Sequence, residues 1–476
     1  MQQFSLLSLL LFFFFSCQEK DLERKNKSSK PNIILIVADD LGYGDLSIYG
    51  QNNFETPNID KLAKNGMLFT QFYSGSTVCA PSRSALMTGQ HTGHTPVRGN
   101  KEVRPEGQHP LPKDTPTLAK ALQKEGYVTG AFGKWGLGAP GSEGDPMKQG
   151  FDTFYGYNCQ RFGHHYYPTH LWHNRDSILI SQNFKKADQV YGPDLIQKET
   201  LKFIERYQKQ PFFLYVPSII PHAELIAPAP SMLVFRNKFL PEKEFIGVDD
   251  GPEFGQGPYR SQKESHAAFA AMISILDRQV GEIIDKISDL GLLENTLILF
   301  TSDNGPHIEG GADPDYFDSN GILKGYKRDL YEGGIRVPLL AQWSGKIEPN
   351  SISNHIAAFW DFFPTLTSLF DSNKKTYKDG ISFLPTLLGQ EEQKKHNYLY
   401  WEFHEKGGRQ AIRQARWKLV KYDVFSKNET KTELYDLKLD PSEENNLANQ
   451  FPQKVKTLES LLEQARTPSK VFRFNE

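Results

Sequence analysis

Cysteine is scarce in this chain: only Cys17, Cys79 and Cys159 occur among 476 residues. That excludes the cross-linked scaffold of a small secreted domain, so stability has to come from the size of the core, which a chain this long can build. Charge of one sign is lacking too. Lysine and arginine number 55 against 57 aspartates and glutamates, a formal net charge of -2. No block of basic residues is long enough to follow a phosphate backbone, which excludes nucleic acid as a partner. Long apolar runs are missing except at residues 6–15. That stretch is shorter than the about 20 residues of a membrane span and matches the apolar core of an export signal. No internal repeat is present.

Glycine and proline are plentiful, 38 and 29, beside 24% charged and 12% aromatic residues. This is the composition of a loop-rich globular enzyme, and the length favours one large and one small domain. Ordered sequence begins at Pro31. Residues 32–38 form a continuous aliphatic run, as expected of a strand buried on both faces of a parallel sheet. The run ends in Asp39 and Asp40, at the carboxyl end of a strand, where open α/β sheets place their ligands. Further strands are expected at 127–132, 212–217 and 296–301. Short helices are expected from Thr56-Pro57 to Gly66 and from Thr115-Pro116 to Gly126. Phe269, Met272, Ile273, Leu276, Val280, Ile283 and Ile287 recur at helical spacing. Such alternation predicts an α/β fold with a large mixed, mainly parallel sheet flanked by helices.

Residues 226–261, rich in proline and glycine, read as a long loop, either an active-site rim or a surface insertion. Beyond residue 370 the chain turns polar at 374–378 and 390–395. Strand-like runs follow at 411–422 and 433–437, and a closing helix at 453–465. They predict a smaller C-terminal antiparallel sheet plus helix over 371–476, behind a catalytic domain over 31–370.

Two sets of residues carry chemistry. Asp39 and Asp40 follow the first apolar strand, and Asp303 and Asn304 follow a second, at 297–300. Four hard oxygen donors at two strand ends suit Ca²⁺ or Mg²⁺ and not Zn²⁺. Cys79-Ala80-Pro81-Ser82-Arg83 reads, on its own residues, as a helix start with Pro81 at the first helical position and a free thiol before it.

Taken together with 32–44, 78–89, 129–138, 301–305, 325–338 and a tail motif from Glu433 to Leu447, these residues resemble the type I, formylglycine-dependent sulfatases of the alkaline phosphatase superfamily. The resemblance runs over about 31–447. It implies an arylsulfatase-like sulfuric ester hydrolase that removes sulfate from carbohydrates, of galactose or N-acetylgalactosamine type. Cys79 would be oxidised to 3-oxoalanine (formylglycine) by a formylglycine-generating maturation enzyme, and one hydroxyl of the hydrated aldehyde would attack sulfur. Asp39, Asp40, Asp303, Asn304 and the residue derived from Cys79 would hold Ca²⁺, with Mg²⁺ the alternative. Arg83 would hold the hydrate, Lys134 and Lys327 the sulfate, Asp303 would take the proton, and His222 or Lys327 would protonate the leaving oxygen. One position departs from the pattern: many relatives read Gly-Lys-Trp-His-Leu-Gly where this chain has Gly136 in place of the His. Arg161, His164 and His165, in one loop, are expected to supply a substitute imidazole or substrate contacts. The rival readings are a phosphomonoesterase or phosphodiesterase of the same superfamily and a non-catalytic sulfated-glycan-binding protein.

The ending of the apolar run, Phe-Phe-Ser-Cys, resembles a relaxed bacterial lipoprotein box. It implies a signal over 1–17, a lipid on Cys17 that tethers the enzyme to a membrane, a flexible linker over 18–30, and a place in the periplasm or on the outer membrane; a plainly cleaved signal is the other reading. With Cys17 lipidated and Cys79 oxidised, Cys159 is left as a free thiol without a disulfide partner.

Overall fold

The aliphatic run Asn32–Ala38 is a strand (β1) with every residue buried, in a computed structural model that describes residues 30–370, 379–426 and 429–474. The stretches expected to be an export signal ending at Cys17 and a linker, up to residue 29, and the polar stretch 374–378 lie outside the described residues. Ile34, Ile36 and Ala38 enter one core and Ile33, Leu35 and Val37 the other, so the strand has no face left for water. Each such side chain contributes about 1.5–3 kcal/mol on burial, which fixes β1 at the centre of the sheet.

In chain order the remaining strands of that sheet are β2 (Met67–Tyr73), β3 (Val128–Lys134), β4 (Thr153–Tyr157), β5 (His170–His173), β6 (Asp176–Leu179), β7 (Phe212–Pro217), β8 (Thr296–Ser302), β9 (Arg336–Gln342), β10 (Ser351–Ser353) and β11 (Ala357–Ala358). Their order is β10-β2-β9-β8-β1-β7-β3-β4-β5-β6, with β11 paired beside β2. The central pairs β8-β1, β1-β7, β7-β3 and β3-β4 are parallel, while β9 and the outer hairpin β5-β6 run against their neighbours. The expected mixed, mainly parallel architecture is therefore the one observed. Its parallel centre brings the carboxyl ends of β1, β3, β7 and β8 to one edge.

Several elements differ from the sequence expectation. The strand β9 contains Pro338, which argues against a central strand from sequence; the pairing with β2 shifts register between Val337 and Leu339 to accommodate it. The second short helix begins at Leu118, not after Thr115, because Thr117 Oγ1 accepts the Lys120 N–H at 3.3 Å and caps it. The helix at the cysteine motif spans Cys79–Thr88 (α1), so Pro81 is its third residue and not its first. The long amphipathic helix extends over Ser265–Asp289 (α2) and covers one face of the sheet. The loop 226–261 holds a short helix, Ala229–Phe235, and ends against the cavity described below.

The run 411–422 is a hairpin and not one strand. β13 (Arg409–Gln414) and β14 (Trp417–Tyr422) turn at Ala415, whose φ is 53°. With β12 (Leu399–Phe403) and β15 (Lys431–Asp436) they form a four-stranded antiparallel meander in the order β12-β13-β14-β15. Tyr400, Ile412, Leu419 and Leu434 pack under the closing helix Pro452–Gln464. The opposite face of the meander, with Trp401, Ala411, Val420 and Tyr435, packs on Val78, Ala85, Leu330 and Ile335 of the large sheet's loops. That contact braces the start of α1 and the segment around residue 330.

One buried ion group ties the two sheets together. Lys418 Nζ lies 2.9 Å from both Glu332 Oε1 and Glu443 Oε1, and all three side chains are buried. Removing the ammonium takes from Glu443 the cation beside its carboxylate, while Glu332 keeps Arg336 at 3.5 Å and the Tyr73 hydroxyl; a broken buried pair costs on the order of 3–5 kcal/mol. Lys418→Ala is expected to lower the unfolding free energy by that amount in urea titration. A change under about 1 kcal/mol would mean that Glu443, already pushed up to about 7 by burial and by Glu332, takes up a proton in the variant in place of the ammonium.

Candidate active site

Hydrogen bonds between strand ends set the geometry of the site. Asp39 N–H donates to Ile220 O at 3.0 Å, Asp303 N–H to Ala38 O at 3.0 Å, and Asp40 N–H to Asp303 Oδ1 at 3.2 Å. Asp40 adopts a left-handed φ of 63°, a conformation that a short polar side chain tolerates. Three carboxylates, Asp39, Asp40 and Asp303, thus meet at the carboxyl ends of β1 and β8, each with no exposure.

Three cations meet them. Arg83 lies one helical turn along α1 from Cys79, so both project from the same side of the helix. Its Nε and Nη2 donate to Asp303 Oδ2 at 3.1 and 2.8 Å, and its Nη1 donates to the Lys134 carbonyl. Lys134, the last residue of β3, pairs with Asp39 Oδ2 and stands 3.8 Å from Cys79 Sγ. Lys327 Nζ lies 2.7 Å from Asp40 Oδ2 and 3.0 Å from His222 Nε2. Cys79 Sγ itself is 3.2 Å from Asp39 Oδ1. The neighbouring Lys324 points elsewhere, over the Tyr331 ring and 3.1 Å from the Glu443 carbonyl.

Charge and burial fix the protonation states. Burial would raise Asp39, but the charges of Lys134, Arg83 and Lys327 around it outweigh that and hold its carboxylate well below the usual range. Burial pushes the Cys79 thiol well up, and the charge of Asp39 adds to it against the pull of Lys134. Cys79 is therefore a neutral thiol and a poor nucleophile as it stands. Burial also opposes the charge on Lys327, yet Asp40 outweighs it and keeps the ammonium protonated. His222 is held neutral by burial and then by Lys327 and Lys134. Its Nδ1 donates to the Ala223 carbonyl, which leaves Nε2 free to accept from Lys327.

A cavity of about 380 Å³ opens onto Cys79, His222 and Lys327, with Asn100, Gln108, Gln160, Arg161, His164 and Tyr259 in its wall. The sequence-designated loop divides here. His164 lines the cavity and stacks on His222 with ring centroids 4.6 Å apart and planes 11° apart. His165 does not line it: it faces Glu224 Oε2 at 3.6 Å and accepts the Gly257 N–H at 3.0 Å. Arg161 stands in the wall with its guanidinium engaged, Nε 2.8 Å from Glu102 Oε1 and Nη2 donating to Pro105 O at 2.7 Å. Cys159 is buried and free, and its Sγ accepts the Phe162 N–H at 3.5 Å.

Residues that sequence reasoning missed include Asn100, whose Oδ1 accepts the Ala80 N–H at 3.0 Å, and His307, stacked on the far side of His222 at 5.6 Å. Gln108, Gln160 and Tyr259 also went unnoticed. Gln108 lies in a two-residue strand, Gly107–Gln108, and the others in irregular loops, where no periodic pattern marks them; His307, three residues after Asn304, carries the one local signal.

The donor set also fits a hard cation. Asp39, Asp40, Cys79 and Asp303 offer ligand atoms within 4.8 Å of one another. Asn304 Nδ2 donates to Asp40 Oδ1 at 2.7 Å, which leaves Asn304 Oδ1 buried with no partner. An orphaned amide oxygen among three carboxylates is suited to Ca²⁺ or Mg²⁺. Adding Ca²⁺ to metal-stripped protein at about a hundredfold over Kd should stabilise it by about 2.7 kcal/mol, read as a rise in the thermal midpoint. Asp40→Asn should remove that rise; an equal rise in the variant would place the ion elsewhere.

Comparison with known proteins gives the same picture. Residues 31–372 match the family model described as Sulfatase, and residues 324–468 the one described as N-sulphoglucosamine sulphohydrolase, C-terminal. The N-acetylgalactosamine-6-sulfatase of the dog, Canis lupus familiaris, is 32% identical over 75% of this chain, which spans 66% of that protein's length. The N-acetylgalactosamine-6-O-sulfatase of Bacteroides thetaiotaomicron is 29% identical over 95% of this chain and 96% of its own. Among solved structures, that of Ps i-CgsB with k-i-k-neocarrahexaose superposes with a TM-score of 0.75 at 28% identity, covering 94% of this chain and 95% of that one.

Proposed function

The chain belongs to the sulfatase family and is a sulfuric ester hydrolase, and from that premise we propose that it removes sulfate from carbohydrates, of galactose or N-acetylgalactosamine type, using formylglycine made from Cys79. The observation that carries this reading is the setting of Cys79 Sγ, 3.8 Å from Lys134 Nζ and in one cavity with Lys327, while Arg83 backs the carboxylates behind it. Cations gathered around a single reacting position suit an anion whose charge grows in the transition state. A neutral, buried thiol would serve poorly in its own right, which favours a modified residue at 79.

As formylglycine, residue 79 supplies a hydrated aldehyde whose hydroxyl is the nucleophile toward sulfur. Asp39, Asp40, Asp303, Asn304 and the residue derived from Cys79 would hold Ca²⁺, with Mg²⁺ the alternative, and the ion would supply Lewis-acid charge for a sulfate ester. The chain's own groups do the rest. Asp303, oriented by Arg83 and by the Asp40 N–H, takes the hydroxyl proton. Lys134 and Lys327 hold the sulfuryl oxygens. Lys327 is also the charged donor beside the leaving oxygen, because His222 Nε2 accepts from it and has no proton to give until Lys327 hands one over. Burial, with the charge of Lys134 added to it, keeps His164 in its base form, so it is the imidazole available for the second step where Gly136 provides none.

We also place the enzyme outside the cytoplasm, tethered by a lipid on Cys17, after maturation by a formylglycine-generating enzyme. Among the described residues no helix is long and apolar enough to cross a membrane.

Mass spectrometry of the peptide containing residue 79, on protein from the native host, should find the aldehyde. An active protein with an unmodified thiol there would sink the mechanism. Lys134→Ala is expected to lower kcat/KM for sulfate release from a sulfated galactose or N-acetylgalactosamine by about 10²–10³-fold. His164→Ala should lower kcat by about 10²-fold. His165→Ala should instead act mainly on stability, by about 1 kcal/mol, through its bond to Gly257. Equal rates for the two histidine variants would remove His164 from the chemistry.

A further inference from the structure

Gly136 has a left-handed φ of +73°, and a side-chain carbon there would stand 1.9 Å from Gln160 Nε2. The room that any other residue at 136 would occupy is therefore held by the Gln160 amide. Gln160 is only 7% exposed, lines the cavity that contains Cys79, and has no hydrogen-bond partner at either Nε2 or Oε1. Gln108, in the same wall and 3% exposed, leaves its Oε1 without a partner as well. Other polar groups of the wall are engaged: Asn100 by the Ala80 N–H, Arg161 by Glu102, and His164 Nδ1 by the Gly257 carbonyl. Burying an amide with both ends unpaired is costly, so a group that arrives with the substrate is the natural partner.

Donor and acceptor counting says which group. A sulfuryl oxygen only accepts; it would satisfy Gln160 Nε2 and leave both glutamine carbonyl oxygens unpaired. A hydroxyl has one proton to donate and can also accept, so it serves Gln160 Nε2 and one glutamine carbonyl oxygen together, which leaves the other carbonyl for a second donor such as a neighbouring hydroxyl or a water. An amide neither takes nor gives a proton near neutral pH, which separates Gln160 from any role as a base. We propose that Gln160, seated by the absence of a side chain at Gly136 and assisted by Gln108, is a specificity residue that reads a sugar hydroxyl beside the sulfated carbon. The inference rests on the carbohydrate sulfatase reading above.

The test compares two probes on the full, matured protein: the monosulfated galactose or N-acetylgalactosamine that the parent turns over, and 4-nitrophenyl sulfate, which has no hydroxyl beside its ester. Gln160→Met keeps the length and removes both hydrogen-bonding atoms. Its ratio of kcat/KM for sugar over aryl sulfate should fall by about 10- to 100-fold, as for a buried hydrogen bond to substrate. Gly136→Ala, which pushes a carbon into the amide, should lower the same ratio and carries the test should Gln160→Met fail to fold. The deoxy sugar lacking the neighbouring hydroxyl should cost the parent as much as Gln160→Met does, with little further loss when the two are combined. An unchanged ratio, or equal losses on both probes, overturns the inference. A parent with aldehyde at residue 79 that releases sulfate from aryl sulfate but from no sugar overturns the carbohydrate reading instead, and the hydroxyl contact with it.

Discussion

Buried charge balance is the constraint on which the rest of this molecule depends. Asp39, Asp40 and Asp303 have no exposure at all, and Arg83, Lys134 and Lys327 are brought within ion-pair distance of them from three other parts of the chain; burial and the charge of Asp39 still push Asp303 up to about 7. Away from water, any one of these charges left alone would cost several kcal/mol. The core that flanks β1 therefore has to deliver opposite charges to the same edge, and the parallel pairing of β1 with β7 and β8 does so: one register aligns Ala38 with Ser302, and the next residues are the carboxylates. A hard cation beside Asn304 Oδ1 would complete the same logic, since it would give a partner to a polar atom that otherwise has none.

The second sheet extends this constraint to the segments that carry Cys79 and Lys327. Its inner face packs on Val78, just before Cys79, and on Leu330, three residues after Lys327. Arg409 from β13 pairs with Asp329 at 2.5 Å, and Trp401 Nε1 donates to Ser74 O at 3.0 Å. Both Cys79 and Lys327 are thus braced by a sheet none of whose residues is among those that line the cavity. A catalytic position held on rigid elements keeps its spacing as substrate enters.

The cavity itself is less regular. Its upper wall comes from loops that share only their place in space: residues 100–108, 160–164 and 256–259. A stack of His164, His222 and His307 runs beside Lys327, kept neutral by burial and by the surrounding cations. Where the resemblance expects a histidine, Gly136 makes room for a glutamine instead, so a local loss of one side chain is a gain of position for another.

What the sequence determined by itself is the part governed by short-range pattern. The aliphatic run before Asp39, the apolar run before Asp303 and the spacing of Cys79 and Arg83 on one helix follow from side-chain volume and helical period, and they placed the chemistry at strand ends without any tertiary information. Pro338 hid β9, because a proline in a central strand is compatible with pairing only through a register shift that the neighbour must share. The hairpin at Ala415 was hidden likewise, since a left-handed residue other than glycine leaves no compositional mark. Tertiary structure alone decided that His164 faces the cavity while His165 turns to Glu224, that Arg161 is already paired, and that Gln160 fills the space at Gly136. Those outcomes depend on which loops meet across long stretches of sequence, and packing between distant segments has no period that a linear reading could detect.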